Sequence, residues 1–138
     1  MILFSSDLEL FIKKKVIMNK LIIDVANENI FLMIITNSDV YNITKENTKS
    51  NYEKLTLIIN DFLNTNKMVI SDINKIYLNR GPGSFAGIRN SLSVVKAFNF
   101  VNNIDYYCYS LDDFKGEKDI KHENIPDLCE KFKMKKFD

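Results

Sequence analysis

The chain has 138 residues, which allows one domain with a real hydrophobic core and hardly two. Its charges balance to +1, so no global field draws it to nucleic acid or membrane, and 46% apolar with 27% charged residues is an ordinary globular composition. No apolar run is long enough to span a bilayer.

Residues 1–17 put Lys13, Lys14 and Lys15 after an apolar stretch that Asp7 and Glu9 interrupt, the reverse of a secretory signal. Met18 stands directly before a strand, so two readings stay open: an upstream extension, or an amphipathic arm. Residues 20–25 (KLIIDV) and 30–36 (IFLMIIT) have the length and apolar density of buried strands, with the turn-rich Asn27-Glu28-Asn29 between them. Residues 40–44 make a short third strand. The period then changes: Tyr52, Leu55, Ile58, Ile59, Phe62 and Leu63 share a helical face, and Ser50 with Glu53 has capping-box spacing, which predicts a helix over 50–65.

Residues 75–79 read as a fourth strand, 87–102 as a second helix with Ile88, Leu92, Val95 and Phe98 on one face, and 105–109 as a fifth strand. Ser110 caps a short turn through Phe114. The polar stretch 115–124 reads as a linker, and Ile125, Leu128, Cys129 and Phe132 fit a short amphipathic helix. The order β-β-β-α-β-α-β predicts an α/β fold with a mixed five-stranded sheet, opened by a three-stranded meander and carrying both long helices on one face.

Scarcity marks one window. Both arginines of the chain, Arg80 and Arg89, bound a ten-residue loop that also holds three of the four glycines and one of the two prolines. It reads Arg80-Gly81-Pro82-Gly83-Ser84-Phe85-Ala86-Gly87-Ile88-Arg89. Pro82 and Gly83 suit the central positions of a type II turn, with positive φ on Gly83, and Ser84 suits a helix N-cap. One reading offers the loop amides to a phosphate or a partner's backbone; the other is a structural strand-to-helix turn. It is not a Walker A loop, since no Gly-Lys-Ser/Thr is present.

This loop, placed between a strand and a helix, resembles the R-G-P-G-S-F-T-G-[LV]-R signature of the TsaB (YeaZ) family. Leu21-Ile22-Ile23-Asp24-Val25-Ala26-Asn27 resembles that family's opening strand, Ser71-Asp72-Ile73 the segment before the fourth strand, and Ser110-Leu111 the segment after the fifth. The likeness covers about 20–114, and 18–114 is the domain it implies. It implies a ribonuclease-H-like (actin and sugar-kinase type) fold and a non-catalytic, cytoplasmic subunit of the machinery that puts threonylcarbamoyl on tRNA adenosine. It further implies pairing with a catalytic TsaD-like paralogue through the two helices, here Asn51, Leu55, Ser91, Val94, Val95 and Phe98. A TsaE-like ATPase is a further partner, and tRNA is reached only through the complex. A nucleotide at the complex interface and a homodimer without the partner are left open.

Departures matter as much. The family usually carries two such domains. Ala86 replaces the loop threonine, and Ser91 and Ala97 replace helix glycines. The catalytic paralogue holds metal with two histidines four apart on the equivalent first helix. Asn51 and Leu55 stand at those positions, and neither is a competent ligand there. His122, the lone histidine, falls in the linker and reads as solvated; Asp24 reads as a turn or capping residue rather than part of a phosphate loop. The Lys131, Lys133, Lys135 and Lys136 end reads as a solvated helix terminus. Cys108 and Cys129 lack C-x-x-C spacing and read as two buried thiols, a disulfide between them being the alternative that sequence leaves open. The competing reading is a small phosphotransferase or nucleotide hydrolase of the same superfold, using Asp24 and the 81–84 amides.

Overall fold

A computed structural model describes residues 17–137; all but the last residue of the 1–17 segment lies outside the described residues. The sheet is built from β1 (Lys20–Asp24), β2 (Asn29–Ile35), β3 (Val40–Glu46), β4 (Lys75–Asn79) and β5 (Asp105–Tyr109), in the order β3-β2-β1-β4-β5. The meander β1-β2-β3 is antiparallel, whereas β4 lies parallel to β1 and β5 parallel to β4. The helices are α1 (Lys49–Tyr52), α2 (Leu55–Thr65), α3 (Phe85–Asn102) and α4 (Ile125–Lys131).

The near-continuous apolar runs of the central strands arise because both sheet faces are covered. Odd positions of β1 and even positions of β2 and β4 (Leu21, Ile23, Leu32, Ile34, Ile76, Leu78) face α2 and α3, which contribute Leu55, Ile59, Phe62, Val95 and Phe98. The alternate positions (Ile22, Met33, Tyr77, Tyr109) face Phe114, Ile125, Leu128 and Cys129 from the C-terminal segment. The stretch that reads as a linker is thus part of a continuous cover over the second face, with Ile120 packed there as well. Its polar sequence hid this, because a few apolar anchors suffice to dock it.

The helix expected over 50–65 is two helices. Thr48, not Ser50, is the N-cap: its hydroxyl accepts from the Asn51 amide at 3.2 Å. The ladder then breaks at Glu53–Lys54, where the Asn90 side chain of α3 donates to the Tyr52 carbonyl. A side chain that takes a helical carbonyl from outside is a standard cause of such a break. The two thiols sit on opposite sheet faces, Cys108 against the α2–α3 side and Cys129 in the other cluster, and both are free. Burial pushes the Cys129 thiol up to about 12 and the Cys108 thiol up as well, so both are inert at neutral pH.

The second face gives a direct test. Phe114 is fully buried against Tyr109 and Phe132. Phe114→Ala is expected to lower the unfolding free energy by about 3–5 kcal/mol in urea denaturation. A loss below about 1 kcal/mol would mean that the C-terminal cover is not part of the cooperative core.

Candidate functional site

The glycine-rich loop leaves β4 and leads into α3, with Ser84 as N-cap, its hydroxyl accepting from the Gly87 amide at 3.3 Å. The turn differs from the expected type II. The Gly81–Pro82 peptide is cis, and the positive φ of +100° falls on Gly81, not Gly83. Gly83 has a different task. A Cβ there would meet the Ala26 carbonyl oxygen at 2.1 Å, and one on Gly87 would meet the Val25 oxygen at 2.7 Å. These two glycines let the loop backbone lie directly on the chain leaving β1. The Ser84 amide seals the contact by donating to the Ala26 carbonyl at 2.8 Å. The Gly81 amide is taken by Asn79 Oδ1 at 2.9 Å, and the Ile88 amide by the Ser84 carbonyl. Four of the loop's amides, at 81, 84, 87 and 88, are therefore committed inside the fold, which favours the structural reading over a phosphate cradle.

At the loop's rim, Arg80 reaches Asp113 at 2.8 Å, while Arg89 is exposed and makes no ion pair among the described residues. Phe85 is 78% exposed.

Asp24 ends β1 beneath this loop, where the sheet switches from parallel to antiparallel pairing. Its Oδ1 accepts from the Ala26 amide at 3.1 Å, as a turn aspartate does. Its Oδ2 lies 2.9 Å from His122 Nε2, and the imidazole stacks on Phe31 with ring centroids 4.0 Å apart. The linker histidine is thus docked rather than free in solvent. Burial pushes the Asp24 carboxyl up, but hydrogen bonds from His122, the Ala26 amide and Asn79, with the charge of His122, outweigh it and hold it below its ordinary 3.8. Asn47 braces the same corner, its side-chain amide donating to the Val25 and Asn27 carbonyls at 3.0 and 2.8 Å.

No family model matches the chain. Over 66 residues it is 33% identical to the tRNA threonylcarbamoyladenosine biosynthesis protein TsaB of Buchnera aphidicola subsp. Baizongia pistaciae (strain Bp), a match that takes in 48% of this chain and 30% of that protein. YeaZ from Pseudomonas aeruginosa superposes with a TM-score of 0.62 at 20% identity, over 67% of this chain and 44% of that one. Over these stretches the chain is similar to TsaB/YeaZ proteins. A second Pseudomonas aeruginosa structure, of a protein with similarity to peptidase YEAZ, gives 0.63 at 20% identity over 67% and 43%. A Thermus thermophilus RuvC bound to a Holliday junction gives 0.50 at 10% identity over 71% and 68%. At such identities the structural likenesses concern fold alone, and the fold is ribonuclease-H-like. The match spans under half the length of each TsaB/YeaZ relative.

The residues that the TsaB/YeaZ resemblance places at a partner surface divide in two. Leu55, Ser91, Val95 and Phe98 are buried in this chain's own core, with the Ser91 hydroxyl donating to the Ile88 carbonyl at 2.8 Å. They face the sheet, so they present no surface while the fold is intact. Asn51 is half-buried and bonded to the Glu46 carbonyl, and Val94 is half-buried beside the core. What α3 turns outward is a different stripe: Phe85, Arg89, Ser93, Lys96 and Phe100, with Ala97 and Val101 beside it. The signal was available in the sequence as the complement of the Val95–Phe98 face.

Among the described residues no group of three or more His, Cys, Asp or Glu is placed to hold a metal, and no helix is long and apolar enough to cross a membrane.

Two outcomes are expected at this site. Gly83→Ala puts a methyl group where only the Ala26 carbonyl fits, and backbone cannot give way as a flexible side chain can. Thermal melts should show a destabilisation of about 1–3 kcal/mol or more, against a smaller effect for Gly116→Ala, whose Cβ would meet nothing within 4 Å. The second concerns pH. Because the folded-state value of Asp24 lies below its ordinary 3.8, its contribution is present above that pH and lost as pH falls through the lower folded value. Urea unfolding of wild type and Asp24→Asn, compared between neutral pH and about pH 3, should show a smaller pH dependence in the variant.

Proposed function

We propose that this chain is a non-catalytic partner subunit of the machinery that makes threonylcarbamoyladenosine in tRNA, binding a TsaD-like catalytic paralogue. The observation that carries the reading is the loop from Arg80 to Arg89: it resembles the TsaB/YeaZ signature at all but Ala86 and Ile88, and here it is the anchor that sets α3 on the sheet. A TsaE-like ATPase belongs to the same proposal, as does contact with tRNA through the complex alone.

The surface for this role is the outward stripe of α3. Phe100 is 88% exposed, Phe85 78% and Val101 75%, an unusual cost for a helix that has no cover over this stripe among the described residues. Small neighbours, Ala86, Ser93 and Ala97, let another helix come close, and the aromatic rings supply the buried area. The enzyme alternative is less well supported. Asp24 is engaged by His122, Asn79 and the Ala26 amide, and the loop amides of Gly81 and Ser84 are committed inside the fold.

Phe100→Lys tests the proposal, since a cation in the last turn of α3 suits the helix dipole and spares the fold. Calorimetry with the TsaD-like protein of the same genome should show affinity weakened about ten-fold or more, equivalent to about 1.4 kcal/mol. Wild-type chain purified to homogeneity should hydrolyse no ATP. Unchanged affinity in a variant with native circular dichroism removes this surface, and turnover abolished by Asp24→Ala favours the enzyme instead.

A further inference from the structure

Two cavities meet at the end of β1. An open cleft of about 760 Å³ is lined by Asp24, Glu28, Phe31, Thr44, Ser84 and His122 among others. Beside it a smaller, partly open cavity of about 110 Å³ is lined by Asp24, Asn79, Tyr109, Leu111, Lys121 and His122 among others. Asp24 and His122 belong to both, so the pair they form stands between them. The smaller cavity has a polar wall without a partner: the Tyr109 hydroxyl is buried and makes no hydrogen bond, in a residue only 1% exposed. Buried hydroxyls are satisfied in the great majority of folded proteins, so an orphan against a cavity points to an occupant.

The smaller cavity's size bounds that occupant. It admits a few water-sized solutes and falls short of the roughly 300 Å³ or more of a nucleotide or metabolite pocket. The segment that borders it is fastened at its ends and by Ile120, which packs on the second sheet face. Phe114 and Ile125 are buried anchors, while most residues between them are exposed. Within the segment, Gly116 at φ +86° and Asp119 at φ +54° occupy the left-handed region, with open space around Gly116. The Glu117–Lys131 ion pair near its start is substantially exposed on the lysine side, and such pairs hold little. Besides Ile120, the fastening in mid-segment is His122, bonded to a buried carboxylate and stacked on Phe31.

We propose that residues 115–124 form a strap, latched by His122 on Asp24, that covers the inner, Tyr109 end of a cavity for water-sized polar solutes. Unlatching joins the cleft to this cavity and opens Asp24 and the Tyr109 hydroxyl to solvent.

Hydrogen exchange with peptide-resolved mass spectrometry on the full chain tests this, together with tetranitromethane nitration read at Tyr109. In His122→Ala, amides of 115–124 should exchange about ten-fold faster or more, with β1 and α4 close to wild type, and Tyr109 should become nitrated. His122→Gln keeps an N–H donor near the position of Nε2 and should restore most of the protection. Unchanged exchange in the alanine variant overturns the latch. So does an equal rise across β1 and α4, which marks His122 as general stability, and so does a Tyr109 that stays unmodified while the strap exchanges faster.

Discussion

The contact on which the rest depends is backbone on backbone: the Gly83–Ser84 turn against the Ala26 carbonyl. It fixes where α3 begins, and therefore which residues of α3 face the sheet and which face outward. It also brings β4's exit to the end of β1, where Asp24, Asn79 and the strap meet. Side chains could not do this at such range, because any Cβ on Gly83 would sit inside the Ala26 oxygen. Pattern and geometry agree here: residues rare elsewhere in the chain gather where the backbone has least room.

The strands and the second helix were legible because their signals are local. The apolar runs of β1 and β2 gave buried strands, and Ser84 gave the N-cap, since both rest on neighbours within a few residues. What stayed hidden rests on distant partners. The break between α1 and α2 comes from Asn90, which is 38 positions away from Tyr52. The Asp24–His122 pair spans 98 positions, so nothing in a ten-residue window around His122 could show it. The positive φ at Gly81 was misplaced by two residues because two glycines flank Pro82 and the local pattern does not choose between them. The helix face was assigned to a partner before its other claimant, the chain's own sheet, was counted: a residue that is apolar and periodic faces a core first.

The likeness to TsaB/YeaZ proteins and the likeness to RuvC carry different weight. The first joins a sequence match to a fold match, whereas the second is architecture alone. In this chain the Asp24 end of β1 holds a histidine from 98 positions further along, at the wall of an open cleft.

The cover on the second sheet face also sets an order of events at the ribosome. All five strands precede Phe114, Ile125 and Leu128 in the chain, so Ile22, Met33 and Tyr77 have no lid until those residues have been made. At roughly 5–20 residues per second, the stretch from the end of β5 through α4 takes on the order of 1–5 s to synthesise. For that interval a nascent sheet shows one finished face and one greasy one, flanked by the unpaired edge of β3. A chaperone that shields strands, or slow translation before the strap, would matter most in those few seconds.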